Sequence, residues 1–240
     1  MKLNKKITIV AGGAGNIGEG IVKAHLKEGA TVIVPSRTLG RLDSLQGYVS
    51  DVNTGYLIPY QANIGTFNGA QEFVRSVLEE HGKIDLCVAS IGGWWQGKSL
   101  TELTNDEWHN VMTNNLDPHF YLARAVLPAM KESKSGTYIL VGGPGGIVPV
   151  RSAEIVAVAG TAQLKMAEAL SQEMKPFGVN VYEMFIAEIA TRNSKRAPTP
   201  TSITPDEIGD YTLKLHFGEV KEPNNYVQKF MRANLPWFKI

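Results

Sequence analysis

A doubly wound α/β fold, with a parallel sheet and helices on both faces, is what this 240-residue sequence predicts. Three observations lead there. Short β-rich apolar runs alternate with helix-periodic segments almost to the carboxyl end, and parallel neighbours need crossovers of that kind. A glycine cluster separates the first apolar run from the first helical pattern. The length suits one domain, and neither an internal repeat nor a low-complexity tract interrupts it.

The elements follow in order. Ile7 to Ala11 is a short apolar run ahead of glycines, hence a buried strand entering a turn. From Ile17 to Lys27 the residues Ile17, Ile21, Val22, Ala24 and Leu26 share one helix face, and Gly29 ends it. Thr31 to Val34 reads as a strand, Leu39 to Leu45 as a helix, and Gly55 to Tyr60 as a third strand. Phe67 to Glu80 is helical with Phe73, Val74, Val77 and Leu78 inward, and Ile84 to Ile91 is the fourth strand. Thr104-Asn105-Asp106-Glu107 is a capping box opening one helix towards Met130, disturbed by Pro118 and Pro128. Thr137 to Val141, Ala153 to Met174 and Val179 to Ile186 give a strand, a long helix and a sixth strand. Arg192 to Ile203 reads as a mobile loop, and Thr204-Pro205-Asp206-Glu207 caps a last helix. After His216 no clear seventh strand is expected; Asn225 to Ile240, with Trp237 and Phe238, would cover a pocket or a neighbouring subunit. The chain is read as one domain, residues 1–240, with a variable region from 192 onward.

Composition narrows the function. Hydrophobic residues make up 43% of the chain and charged ones 20%, which is ordinary for a globular protein. With 24 basic and 23 acidic side chains, the charge of +1 gives no reason to expect a nucleic-acid partner. Cys87 is the single cysteine, so no internal disulfide or cysteine metal cluster is expected. His25, His81, His109, His119 and His216 lack metal-ligand spacing. No run approaches the roughly 18 apolar residues of a membrane helix. A cytoplasmic protein without membrane, nucleic-acid or metal partners is the expectation.

Gly12-Gly13-Ala14-Gly15-Asn16-Ile17-Gly18 satisfies G-x-G-x-x-G from Gly13 and G-x-x-G-x-x-G from Gly12. Between a strand and a helix, such glycines allow a tight turn and close approach of backbone to a pyrophosphate at the helix N-terminus. That is a Rossmann-like nucleotide site. NAD selection wants a carboxylate about 20 residues further on. Here the second strand runs into Val34-Pro35-Ser36-Arg37, with no acid. Ser36 and Arg37, with Arg41 nearby, match a 2′-phosphate, so NADP(H) is expected ahead of NAD(H). The ordinary reading of Arg37 is a solvated loop cation.

Together these features resemble the short-chain dehydrogenase/reductase family over about residues 5 to 215. Asn63-Ile64 follows the third strand, where the family usually has an Asp contacting adenine. Ala89-Ser90-Ile91-Gly92 stands in for the family's Asn-Asn-Ala-Gly, and Asn115 for its helix-kinking Asn. The resemblance implies that Ser90, Gly92 and Asn115 join Gly12, Gly13, Gly15, Asn16, Ile17, Gly18, Ser36, Arg37, Asn63 and Ile64 around a nicotinamide nucleotide. It also implies association through the two long helices, as a homodimer or homotetramer.

The family's catalytic positions read differently. Its Ser corresponds to Gly143, its Tyr to Val156 and its Lys to Gly160, and no Tyr-x-x-x-Lys occurs in any frame nearby. Glycine and valine can neither orient a carbonyl nor move a proton. No catalytic residue is therefore assigned. Trp94 and Trp95 follow the fourth strand and suit a pocket wall, a core or a subunit contact alike. Arg151, Ser152 and Glu154 read as a helix start, Glu183 and Glu188 as exposed-loop acids, and His119 as a packed or surface side chain. Gly142 to Gly146 lacks the Lys and Thr of a P-loop and suits close backbone approach to a ligand. Three readings stand: an atypical NADP(H)-dependent oxidoreductase acting on a small carbonyl or alcohol, a catalytically silent nucleotide-binding or scaffold subunit, or a non-redox lyase or isomerase using the same crevice.

Overall fold

The computed structural model describes residues 1–195 and 197–232. Seven strands form one parallel sheet: β1 Ile7–Ala11, β2 Thr31–Ser36, β3 Tyr56–Gln61, β4 Leu86–Ala89, β5 Gly136–Gly142, β6 Val179–Ile186 and β7 Val227–Phe230. Their order is β3-β2-β1-β4-β5-β6-β7. β1 and β4 are buried at every position, as expected of strands covered on both faces.

The helices are α1 Gly18–Lys27, α2 Leu39–Tyr48, α3 Phe67–His81, α4 Asn105–Asn115, α5 Asp117–Ser133, α6 Glu154–Met174 and α7 Pro205–His216. One core layer joins the sheet to α1, α2 and α7 through Ile21, Leu45 and Ile208. The other joins it to α3, α5 and α6 through Phe73, Leu122 and Ala167. Along β6 the side chains alternate: Tyr182, Met184 and Ile186 enter the first layer, Val179 and Val181 the second.

Three expectations are corrected. A seventh strand exists: β7 pairs parallel with β6, Glu183 opposite Val227 and Ile186 opposite Phe230. Only four residues long and half polar, it carries no periodic signal. Tertiary contacts hold it instead: the Gln228 amide donates to Glu222 O and Asn225 O, and Tyr211 Oη donates to Gln228 Oε1 at 3.0 Å. The helix opened by Thr104 is two helices, broken at Leu116 (φ −122°, ψ −56°). Asn115 Nδ2 donates to Val111 O, and Pro118, which has no N–H to give, falls in the first turn of α5. The fourth strand is shorter than expected, Leu86–Ala89: Ser90 N still donates to Ala11 O at 2.9 Å, and Gly92 then takes a left-handed backbone (φ +108°).

Both capping boxes form as expected, with Thr104 N donating to Glu107 Oε2 and Thr204 N to Glu207 Oε2, each at 2.8 Å. The loop from Arg192 is tied down at its start. Arg192 Nε and Nη2 donate to the Glu19 carboxylate, and Asn193 Nδ2 donates to Asn16 Oδ1 at 2.7 Å. Trp237 and Phe238, expected over a pocket or a subunit, lie outside the described residues.

Candidate functional site

Because all strands run the same way, the segments leaving β1 to β5 gather on one edge of the sheet. The chain leaves β1 for β2 on one side and reaches β4 on the other, so a crevice opens at that edge, the usual place for a ligand in such sheets. Two adjoining cavities occupy it, of about 400 and 310 Å³. They share Ser90, Ile91, Gly92, Gly93, Trp94 and Asn115.

Most of the expected cofactor residues meet in the first cavity: Gly12, Gly15, Ser36, Arg37, Asn63, Ile64, Ser90, Gly92 and Asn115 line it. Ile17 lines the second cavity instead. Gly13, Asn16 and Gly18 line neither. Gly13 and Gly18 are buried structural members of the turn, while the exposed Asn16 is engaged by Asn193. The turn tolerates only glycine at position 12. Its φ is +77°, and a Cβ there would lie 2.0 Å from Ser90 O.

The first cavity is electrostatically one-sided. Among the described residues Arg37 and Arg41 line it, and no Asp or Glu does. Both arginines are exposed, and among the described residues neither has an ion-pair partner. Ser36 Oγ holds the turn beside them, accepting from Thr38 N and donating to Thr38 O. Glu19, in the first turn of α1, is neutralised by Arg192. A small-residue turn beside two unpaired guanidiniums fits a phosphate-bearing nucleotide.

Asn115 fastens the region where the cavities join. Its Oδ1 accepts from Gly93 N at 2.8 Å while its amide caps α4 through Val111 O. Trp94 is 58% exposed and faces both cavities, and Trp95 lines the first, so both are wall residues and not core. His119 is fully buried, with Nε2 3.2 Å from Ile91 O; burial pushes its pKa down to about 4, which keeps it a neutral packing side chain.

The second cavity contains the three positions singled out by the family resemblance. Gly143, Val156 and Gly160 all line it. At Gly160 there is no room for a side chain: a Cβ would stand 2.5 Å from Gly146 Cα. The single turn Pro144–Gly146 has settled onto α6, where Thr161 Oγ1 donates to Gly146 O at 2.7 Å. Arg151, Ser152 and Glu154 do not line either cavity; the backbone carbonyls of Arg151 and Ser152 receive Gln96 Nε2 and Gly97 N. Glu188 is an exposed loop acid, as expected, and accepts from Thr201 Oγ1.

Glu183 corrects the sequence reading. It sits in the middle of β6, is 1% exposed and lines the second cavity beside Gln163 of α6. Gln163 Nε2 lies 3.0 and 3.2 Å from its two carboxylate oxygens. Burial, only partly offset by that amide, pushes its pKa up to about 8. A carboxylate inside the apolar strand Val-Asn-Val-Tyr-Glu-Met-Phe-Ile was the available signal, since an interior parallel strand has no solvent face. Gln163 carried no signal of its own.

Residues 6–201 match the family model described as short chain dehydrogenase. Among curated proteins, the 3-oxoacyl-(acyl-carrier-protein) reductase FabG of Vibrio harveyi is 25% identical over 216 residues, covering 88% of this chain and 86% of that protein. The uncharacterized oxidoreductase YvrD of Bacillus subtilis (strain 168) is 24% identical, covering 97% and 87%. Among solved structures, a metagenomic short-chain oxidoreductase in complex with NADP aligns with a TM-score of 0.81 at 21% identity, over 96% of this chain and 97% of that one. NAD+-bound xylitol dehydrogenase aligns at 0.86 and 16% identity, over 97% and 100%.

Proposed function

This chain belongs to the short-chain dehydrogenase family, and on that premise we propose that it binds NADP(H) and acts as an atypical oxidoreductase on a small carbonyl or alcohol. The observation that carries the reading is the first cavity, with Arg37 and Arg41 on its wall and no carboxylate. A carboxylate there would pair with the ribose hydroxyls of NAD(H) and repel a 2′-phosphate; guanidinium does the opposite. Ser36, Arg37 and Arg41 would hold the 2′-phosphate, the turn from Gly12 to Gly18 the pyrophosphate, and Asn63 and Ile64 the adenine. Ser90, Gly92 and Asn115 would face the nicotinamide end, with Trp94 walling the substrate. When bound, the nicotinamide supplies or accepts a hydride.

In this reading Gly143, Val156 and Gly160 replace the family's Ser, Tyr and Lys, so alcohol–ketone chemistry by the usual route is lost. Phe120 of α5 and Val158 of α6 are exposed apolar side chains on the helices through which the resemblance implies self-association. A homodimer or homotetramer is part of the proposal, checked by light scattering after size exclusion.

The test is titration with NADPH and with NADH, read by tryptophan fluorescence from Trp94 and Trp95. Saturable binding that prefers NADPH is expected. Arg37→Ala should weaken NADPH by about ten- to a hundredfold, as for loss of a charged hydrogen bond of roughly 1.5–3 kcal/mol, and leave NADH unchanged. Failure of both nucleotides to bind at millimolar concentration would overturn the reading. NADPH binding without turnover across a broad panel of carbonyls would favour a silent subunit.

A further inference from the structure

We propose that Glu183, held by Gln163, is the proton donor and acceptor of the second cavity. The proposal rests on the NADP(H)-dependent reading above.

The argument starts from space. With Gly143, Val156 and Gly160 on its wall, the second cavity has no hydroxyl or ammonium at the positions where the family carries them. Its polar side chains come from elsewhere. Among the described residues, Trp94, Asn115, Gln163 and Glu183 are those lining it that can donate or accept a hydrogen bond, apart from Ser90 at the junction. Asn115 is committed to Gly93 N and Val111 O, and the Trp94 indole N–H to Gln96 Oε1. Among these Glu183 alone can change its protonation in the neutral range.

Its setting resembles that of a working acid more than that of a structural ion. Among the described residues no Lys or Arg pairs with it, and only the Gln163 amide offsets its burial. Gln163 contacts both oxygens, which fixes the plane of the carboxyl group without supplying a charge. Gly142 leaves the space the group needs: a Cβ there would lie 2.3 Å from Glu183 Oε1. The titratable groups on neighbouring elements are otherwise engaged. Lys165 pairs with Glu168 on the outer side of α6, Tyr182 donates to Pro223 O, and Lys229 of β7 is exposed. Tyr226, just before β7, lies within electrostatic reach of both Glu168 and Glu183, and β5 contributes no charged side chain.

In the reductive direction the carbonyl π bond breaks. A bound reduced nicotinamide would supply the hydride for the new C–H bond, and the Glu183 carboxyl would give the proton that forms the O–H bond. Glu183 is left as a carboxylate and regains a proton from water; oxidation reverses each change. A protonated donor is needed for reduction, so the reductive rate falls as pH rises through about 8.

Two readouts test this. The infrared C=O band of a protonated carboxyl should be present at pH 6.5, fade by about pH 9, and be missing in Glu183→Gln. With NADPH and a panel of small aldehydes and ketones, Glu183→Gln should lose at least a hundredfold in kcat while its Kd for NADPH stays within twofold. The glutamine is isosteric with the protonated acid, so the fold is kept, and NADPH binding reports it. Absence of the band, or Glu183→Gln turnover within threefold of the parent, would remove the donor role alone; NADPH binding with no turnover by the parent protein would remove the oxidoreductase reading and the donor role with it. Failure of NADPH to bind would remove the cofactor reading, and the donor role with it.

Discussion

Replacing Glu183 by Gln should change the pH dependence of stability in a direction opposite to that of most carboxylates. A paired surface acid has a depressed pKa and stabilises the native state as pH rises. Glu183 is buried at 1% exposure, with no cation paired to it among the described residues, and its pKa moves from 4.5 to about 8. Between those values the native state keeps a proton that the unfolded chain has released. Stability therefore falls with rising pH, by about 1.4 kcal/mol per pH unit, from the slope 2.303RT per proton. Nothing is lost below pH 4.5, and above pH 8 the loss amounts to roughly 5 kcal/mol. Glutamine cannot ionise, so the variant escapes this loss. Urea unfolding of both proteins at pH 5, 6, 7, 8 and 9 gives the difference directly. The variant should gain steadily on the parent up to about pH 8, then hold its lead. Buried His25 and His119, with pKa values pushed down to about 3 and 4, also make stability pH-dependent, but equally in both proteins, so they cancel. A difference that stays constant with pH would refute the idea that Glu183 is a buried acid with a raised pKa.

Three further outcomes are expected. Gly12→Ala should cost 2 kcal/mol or more and abolish NADPH binding, because the left-handed backbone costs about 1–2 kcal/mol before the collision with Ser90 O is counted; chemical denaturation and fluorescence titration measure the two effects. Gly160→Ala should destabilise by about 1–3 kcal/mol through its clash with Gly146, and for the same reason the pair Val156→Tyr with Gly160→Lys should gain no carbonyl reduction in an NADPH oxidation assay. Arg192→Ala leaves the 5%-exposed Glu19 carboxylate unpaired, with an expected loss of about 1–3 kcal/mol, below the range for a fully buried pair because Arg192 is 46% exposed. Urea unfolding should show that loss largely recovered when Glu19→Gln is added.

What the sequence by itself determined was the part of the protein written in local patterns. Continuous apolar runs such as Ile7 to Ala11, helix faces such as Phe73-Val74-Val77, and the capping boxes at Thr104 and Thr204 each act over a few residues, so they show in one dimension. The nucleotide turn was legible for the same reason: its glycines answer to backbone geometry within one segment. Arg37 and the missing acid after β2 were legible because that strand ends at a fixed distance from the turn.

Only the tertiary structure decided what distant segments do to one another. β7 is a strand because β6 offers it an open edge and Gln228 ties its approach, not because four half-polar residues prefer that state. Gly160 is a contact with Gly146, fourteen positions earlier, and no spacing rule announces it. Glu183 differs most between the two views. Beside a loop it would be a solvated carboxylate; between Gly142 and Gln163, at the floor of a cavity, it is a neutral acid near pH 7. A carboxyl group's charge state depends on the dielectric and partners around it, and these are assembled from β5, β6 and α6 only when the chain folds.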